Sequence, residues 1–251
     1  MSSSPTSPPQ PEAATATTQD RSRVAPVWHT VLFIAGTIGL ALTQANQTER
    51  MSKMMIRTRV PLYSAMIIFE LILLLYVWIG VWLAKKRLRD LIGGRWKCAA
   101  DFWRDVGIAI LFTIVVWGVL LVVGVLLGRN QAGLEAVRML IPRTAPEMAL
   151  WVALSVTAGF CEELIFRGYL QRQFFALTGK IEAAVALQAC VFGAAHLYQG
   201  WKGALTITVY GALFGALAAW RRSLRPGMIQ HAGQDTIVGL VGGFAVRHRM
   251  F

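Results

Sequence analysis

The chain has 251 residues, 55% of them hydrophobic and only 15% charged, and a net charge of +12. Soluble domains carry about 25% charged residues, so this composition, with a mean hydropathy of +0.52, excludes an ordinary water-soluble fold. The positive charge does not point to nucleic acid either, and none is expected as a partner. The basic residues sit in short clusters between apolar runs, such as Lys85, Lys86, Arg87 and Arg89, where loops meet anionic lipid headgroups.

Residues 1–25 are rich in Ser, Pro, Thr and Ala without apolar periodicity, which predicts a disordered N-terminal tail. A helix crossing a hydrocarbon core of ~30 Å needs roughly 20 residues, and the first such run is Val27 to Ala45. The second runs from Val60 to Ala84 and holds one charge, Glu70. A mid-span carboxylate without a motif reads as a helix-packing or cavity-lining group. The basic loop 85–105 precedes a third, uncharged span from Val106 to Gly128. After the break from Pro142 to Pro146 a long helix is expected over Glu147 to Leu177, then three more over 181–199, 203–220 and 226–246.

The expected fold is therefore an all-α bundle of about seven membrane helices, with residues 26–140 as an N-terminal part and 141–251 as the part that carries chemistry. The location expected for such a multi-pass chain is the cell membrane. Placing the N-terminal tail inside assigns 14 Lys and Arg to inside loops and 10 to outside loops, a bias toward that orientation. Gly211 with Gly215, and Gly239 with Gly243, have the spacing of close helix contacts. The three cysteines, Cys98, Cys161 and Cys190, imply no disulfide framework. His29, near a helix end, reads as interfacial.

Ionisable residues appear where the membrane disfavours them. Glu162, Glu163 and Arg167 lie in the fourth apolar segment, His196 in the fifth, and His231 with Asp235 in the seventh. A charge at a helix centre costs about 2.5–3.5 kcal/mol on insertion scales. Singly, each has a structural reading as an ion pair or a packed histidine; six together, on three helices, suggest a shared site. Glu163 and Arg167 are four apart and can pair on one helix face. Glu162, rotated by about 100°, can then point elsewhere. Phe192 is placed to brace the His196 ring, and Asp235 to orient His231.

Glu162-Glu163-x-x-x-Arg167, Phe192-x-x-x-His196 and His231-x-x-x-Asp235 together resemble the three motifs of the CPBP family. That family includes CAAX prenyl endopeptidases and bacteriocin-processing or immunity proteins with an Abi-type domain. The resemblance covers roughly residues 145–245 and departs at Asp235, where many relatives have Asn. It implies an intramembrane endopeptidase acting on a membrane-presented peptide or protein tail, lipidated in the best-known cases. It further implies Glu162 as general base for a water, His196 as its partner, and His231 with Asp235 at the scissile carbonyl. Glu163, Arg167 and Phe192 would support them.

Relatives are called metalloproteases, and Glu162, His196 and His231 also form a ligand set for a zinc ion (Zn2+) with one position left for water. Metal-free and zinc chemistry therefore both stay open, the former slightly favoured. Two other classes compete: a non-catalytic immunity or regulatory membrane protein that binds a peptide partner, and a transporter with a buried proton relay.

Overall fold

The computed structural model describes residues 22–45 and 58–248. Residues 1–21 of the expected tail lie outside them. Just after that point, Val24 and Ala25 are already buried, and their amides donate to Gln173 Oε1 at 3.0 and 3.3 Å.

Among the described residues the chain is helical and contains no strand. In order come α1 (Val27–Ala45), α2 (Val60–Leu83), α3 (Leu88–Ile92), α4 (Ala99–Leu127), α5 (Gln131–Leu140) and α6 (Ala145–Glu162). A π-helical stretch (Glu163–Leu170) runs on into α7 (Gln171–Thr178). Then follow α8 (Ile181–Ala195), a 3₁₀ turn (Leu197–Gln199), α9 (Gly200–Arg221) and α10 (Arg225–Arg247).

Hydropathy places α1 and α2 well, but α4 begins at Ala99 rather than near Val106. Charge marks the edge of an apolar run without stopping a helix. Asp101 in the first turn accepts from the Lys97 amide at 2.9 Å and pairs with Arg104 at 3.2 Å, where a carboxylate complements the helix dipole. Two short helices, α3 and α5, were not foreseen.

Among the described residues five segments are long and apolar enough to cross a membrane: Val27–Gln44, Val60–Leu83, Ala99–Leu127, Ala145–Thr178 and Leu197–Arg221. Two of the seven expected spans fall outside this set. α8 has only 15 residues. α10 has 23, but Gln230, His231, Gln234 and Asp235 interrupt its apolar run. α4 shows how the bundle meets its surroundings: Leu111, Ile114, Val125 and Leu126 are all strongly exposed, a surface suited to lipid rather than water.

The connecting segments gather at two ends. At one, Gln173 holds the start of α1, Arg172 donates to the Asp90 and Leu91 carbonyls, the Leu224 amide donates to Ile92, and Arg221 pairs with Asp105 at 3.3 Å. At the other, the Arg59 amide donates to Glu147, Asn130 to the Gln199 carbonyl, and Lys202 to the Arg129 carbonyl. Both α8 and α10 start at the first end. α8 leads through the 3₁₀ turn to Gln199, and α10 reaches Gly243, which packs on Pro142.

Small residues set the helix contacts that position the site. A Cβ at Gly211 would lie 3.0 Å from Phe192 Cδ1, and one at Gly215 would lie 2.6 Å from Gln188 Nε2, so α9 packs closely on α8. A Cβ at Gly159 of α6 would similarly lie 2.7 Å from the Ala232 amide nitrogen of α10, and Gly239 of α10 faces the Trp151 indole. The α6–α7 rod ends at Gly179, whose φ of +68° suits a residue without Cβ.

Candidate active site

The rod that carries the first motif is fixed at its start by a capping box. Thr144 Oγ1 accepts from the Glu147 amide, and Glu147 reaches back to the Thr144 amide. Glu147 also accepts from the amides of Arg59 and Arg143 at 2.8 and 2.7 Å, which ties the start of α2 to α6. Eighteen residues on, the regular helix gives way to the π-helical turn, and all eight residues from Glu163 to Leu170 are buried. π-turns inside α-helices occur often at functional sites. Here the change of winding falls between the two adjacent glutamates.

They consequently have different surroundings. Glu163 is 1% exposed, and its Oε1 receives Arg167 Nη1 at 3.0 Å and His231 Nδ1 at 3.3 Å. Its other oxygen packs on Gly227, where a Cβ would lie 3.0 Å away. Arg167 also lies over the Phe192 ring at 4.4 Å and the Phe214 ring at 5.2 Å, a cation–π arrangement suited to a desolvated guanidinium. Glu162 instead lines a cavity, and its Oε2 stands 3.8 Å from His231 Nε2.

His231 is thus set among three carboxylates. Its Nδ1 donates to Glu163, while Nε2 faces Glu162 and, at 3.6 Å, Asp235 Oδ2. The orientation expected from Asp235 comes through the shorter contact with Glu163. Asp235 in turn is fixed through its backbone, whose carbonyl accepts from Trp151 Nε1 at 2.7 Å.

His196 closes α8. Its ring meets Phe192 edge-on with centroids 4.8 Å apart, as the spacing predicts. Its Nδ1 lies 2.8 Å from the Phe192 carbonyl oxygen, which can only accept. In the neutral ring Nδ1 therefore carries the hydrogen, and Nε2 offers its lone pair. Phe192 so links two motifs, with Arg167 on its ring and His196 at its edge.

Glu162 and His196 line the same cavity, of about 660 Å³. Its walls are α1 and α2, and Ala136, Met139 and Leu140 of α5 close one end. Leu32 and Leu40 of α1 and Phe69 and Ile72 of α2 line it and are themselves exposed, so the cavity is open rather than enclosed. Among the described residues no hydrogen bond joins Glu162 to His196, and His231 and Asp235 stand behind Glu162 rather than on the cavity wall. Such an arrangement can hold a polarised water between a carboxylate and an imidazole nitrogen.

Residues 144–237 match the family model of type II CAAX prenyl endopeptidase, Rce1-like. All three polar motifs fall inside the matched stretch. This segment belongs to the CAAX protease family. Among curated proteins and solved structures, none matches the chain. That stretch is thus similar to a membrane protease of the CAAX endopeptidase type, and the apolar helices around it suit an integral membrane protein.

Glu162, His196 and His231, the zinc set suggested by the sequence, are not brought together as one group of three. Among the described residues no three His, Cys, Asp or Glu side chains are grouped so as to hold a metal ion. Glu162 and His231 approach each other, but His196 reaches neither.

Several neighbours carried no motif. Tyr210 meets the His231 ring edge-on at 5.8 Å and accepts from Gln234 at 3.3 Å; Gln234 also accepts from Gln230 at 2.9 Å and from Trp117 at 3.0 Å. A polar stripe at Gln230, His231, Gln234 and Asp235 was the available signal. His29 is corrected: it is 1% exposed rather than interfacial. It bonds Tyr169 Oη at 2.8 Å, stacks on Tyr76 at 4.0 Å and fills the space left by Gly80. Cys161 is buried, as expected of a small membrane-helix residue.

Proposed function

We propose that the chain is an intramembrane endopeptidase of the cell membrane that hydrolyses a peptide bond in a membrane-presented, lipidated tail, using a water activated by Glu162 and His196. The observation that carries this reading is the shared cavity: Glu162 and His196 line one open space whose other walls are the apolar faces of α1 and α2. A substrate anchored in the bilayer reaches the site without leaving it.

In this mechanism Glu162 takes a proton from the water while His196 Nε2 accepts the water's other hydrogen bond. The hydroxide attacks the scissile carbonyl carbon. His231 Nε2, which stands behind Glu162 in the empty site, turns past that carboxylate to stabilise the resulting oxyanion. The C–N bond then breaks, and the proton held by Glu162 passes to the departing amine. Asp235 holds the far side of His231. Glu163 and Arg167 keep the ring and the π-turn in place, and Phe192 does the same for His196. The reading includes seven membrane crossings, since α8 with its 3₁₀ turn and the whole of α10 each run from one end of the bundle to the other.

The reading is tested by comparing new protein termini in membranes of cells that express wild type or Glu162→Ala at equal levels. Termini made only by wild type support a peptidase and name its substrates. Identical profiles from two folded, inserted proteins favour instead a peptide-binding immunity role. Purified wild type treated with a strong chelator keeps its activity if the water site is metal-free; loss that is restored by Zn2+ assigns the zinc chemistry.

A further inference from the structure

One ionisable side chain in the cavity has no part in the mechanism. Glu70 lies midway along α2, in a segment outside residues 144–237, and lines the same cavity as Glu162 and His196. Its Oε2 is buried and has no hydrogen-bond partner among the described residues. Glu162 and His231 are the ionisable groups whose charges bear on it. A carboxyl group in mid-membrane with a buried oxygen and no cation paired to it among the described residues is costly to keep, and helix packing alone does not explain it.

Three of the cavity's other polar side chains are engaged within the protein. Thr37 Oγ1 donates to the Phe33 carbonyl at 2.8 Å, Tyr76 Oη to the His29 carbonyl at 2.9 Å, and Tyr198 Oη accepts from Gln199 at 3.0 Å. Most of the remaining wall is Leu, Ile, Met, Phe and Ala. A peptide drawn out of water into such a wall brings backbone N–H groups that need an acceptor. Glu162 and His196 serve the water and the scissile carbonyl. Glu70, on the wall formed by α2, offers an acceptor that nothing else uses.

We propose that Glu70 is a substrate-binding residue of this site, whose carboxyl group accepts hydrogen bonds from the backbone N–H groups of an extended peptide lying between α2 and the Glu162–His196 wall. The proposal rests on the peptidase reading above and adds to it a recognition element from outside the family segment. It makes α2 part of the substrate site, so that the peptide is held from two sides before the bond is cut.

The test uses the full chain in lipid nanodiscs and an internally quenched farnesylated CAAX peptide. Binding is measured on Glu162→Gln protein, which keeps the peptide uncut, with and without Glu70→Leu; turnover is measured on wild type and on Glu70→Leu alone. The expected result is that Glu70→Leu weakens binding by about tenfold, raises KM far more than it lowers kcat, and leaves the melting temperature unchanged or higher. A structural carboxylate would instead lower the melting temperature and leave affinity alone, which overturns the proposal. Glu70→Gln, of the same shape, guards against misfolding and should show a smaller loss of binding. If wild type cuts the peptide, Glu162→Gln does not, and Glu70→Leu behaves as wild type, the Glu70 proposal falls while the peptidase reading stands. If wild type binds the peptide without cutting it and Glu70→Leu weakens that binding, the peptidase reading falls and the role of Glu70 stands.

Discussion

The two halves of the cavity are built in different ways. The wall from α6, the π-turn and α8 is polar, and each of its charges is held by a partner: Glu163 by Arg167 and His231, His196 by the Phe192 carbonyl. The wall from α1, α2 and α5 is apolar apart from Glu70 and owes its place to a few polar contacts at its edges, chiefly His29 with Tyr169 and Glu147 with Arg59. In the proposed reading the first wall carries the chemistry and the second the enclosure. In a membrane, a charge without a partner is expensive, so the reactive wall must be spelled out in residue spacings. Enclosure needs only apolar surface, which any spanning helix supplies.

If the polar wall is the reactive one, Glu162→Gln should cost the most. Activity on the farnesylated peptide is expected to fall by about 10²–10⁴-fold, the range for loss of a general base, with the melting temperature preserved. Retained activity would move the reaction to another group.

Removing a partner inside that wall should act on stability first. Arg167 and Glu163 are 0% and 1% exposed in their side chains, and breaking a buried pair typically costs about 3–5 kcal/mol. Arg167→Met is therefore expected to lower the thermal or denaturant midpoint sharply and to reduce the yield of folded protein. A Glu163→Gln, Arg167→Met double variant should recover part of the loss, because no lone charge is then left. Additive losses would show that the two do not act as a pair.

The contact between α6 and α10 joins the halves of the reactive wall. Gly239→Leu would drive a side chain into the Trp151 indole, whose Nε1 holds the Asp235 carbonyl at 2.7 Å. Overpacking of this kind costs about 1–3 kcal/mol. Activity should fall with stability, since His231 and Asp235 ride on α10. A stable variant with full activity would mean that α10 shifts without carrying the site.

This contrast also explains what the sequence revealed. Glu163, Arg167, Phe192, His196, His231 and Asp235 were legible because their partners lie one helical turn away, and Glu162 because it adjoins Glu163; three of those pairings hold in space, Glu163 with Arg167, Phe192 with His196, and His231 with Asp235. The His231–Glu163 contact spans 68 residues and left no local trace. Neither did the π-turn, since a change of winding needs no special residue. α5 stayed hidden because ten half-apolar residues between Asn130 and Ile141 are too few to register as a span. Glu70 was visible as an oddity, but its cavity exists only once α1, α2 and α5 have docked.

The apolar wall yields the smallest effect and the cleanest separation of the two roles. Tyr169 Oη joins His29 Nδ1 at 2.8 Å and Thr30 Oγ1 at 2.9 Å, so one hydroxyl on the reactive rod holds the inner end of α1. Tyr169→Phe keeps the ring against Phe33 and leaves two buried polar atoms short of a partner, a loss of about 1–3 kcal/mol. None of the contacts among Glu162, Glu163, Arg167 and His231 passes through that hydroxyl. The expected outcome is a lowered melting temperature with kcat close to wild type and any defect confined to KM, because α1 encloses the substrate without touching the scissile bond. A fall in kcat equal to the fall in kcat/KM would show instead that the α1 contact aligns the π-turn itself, and that enclosure and chemistry are not separate properties of the two walls.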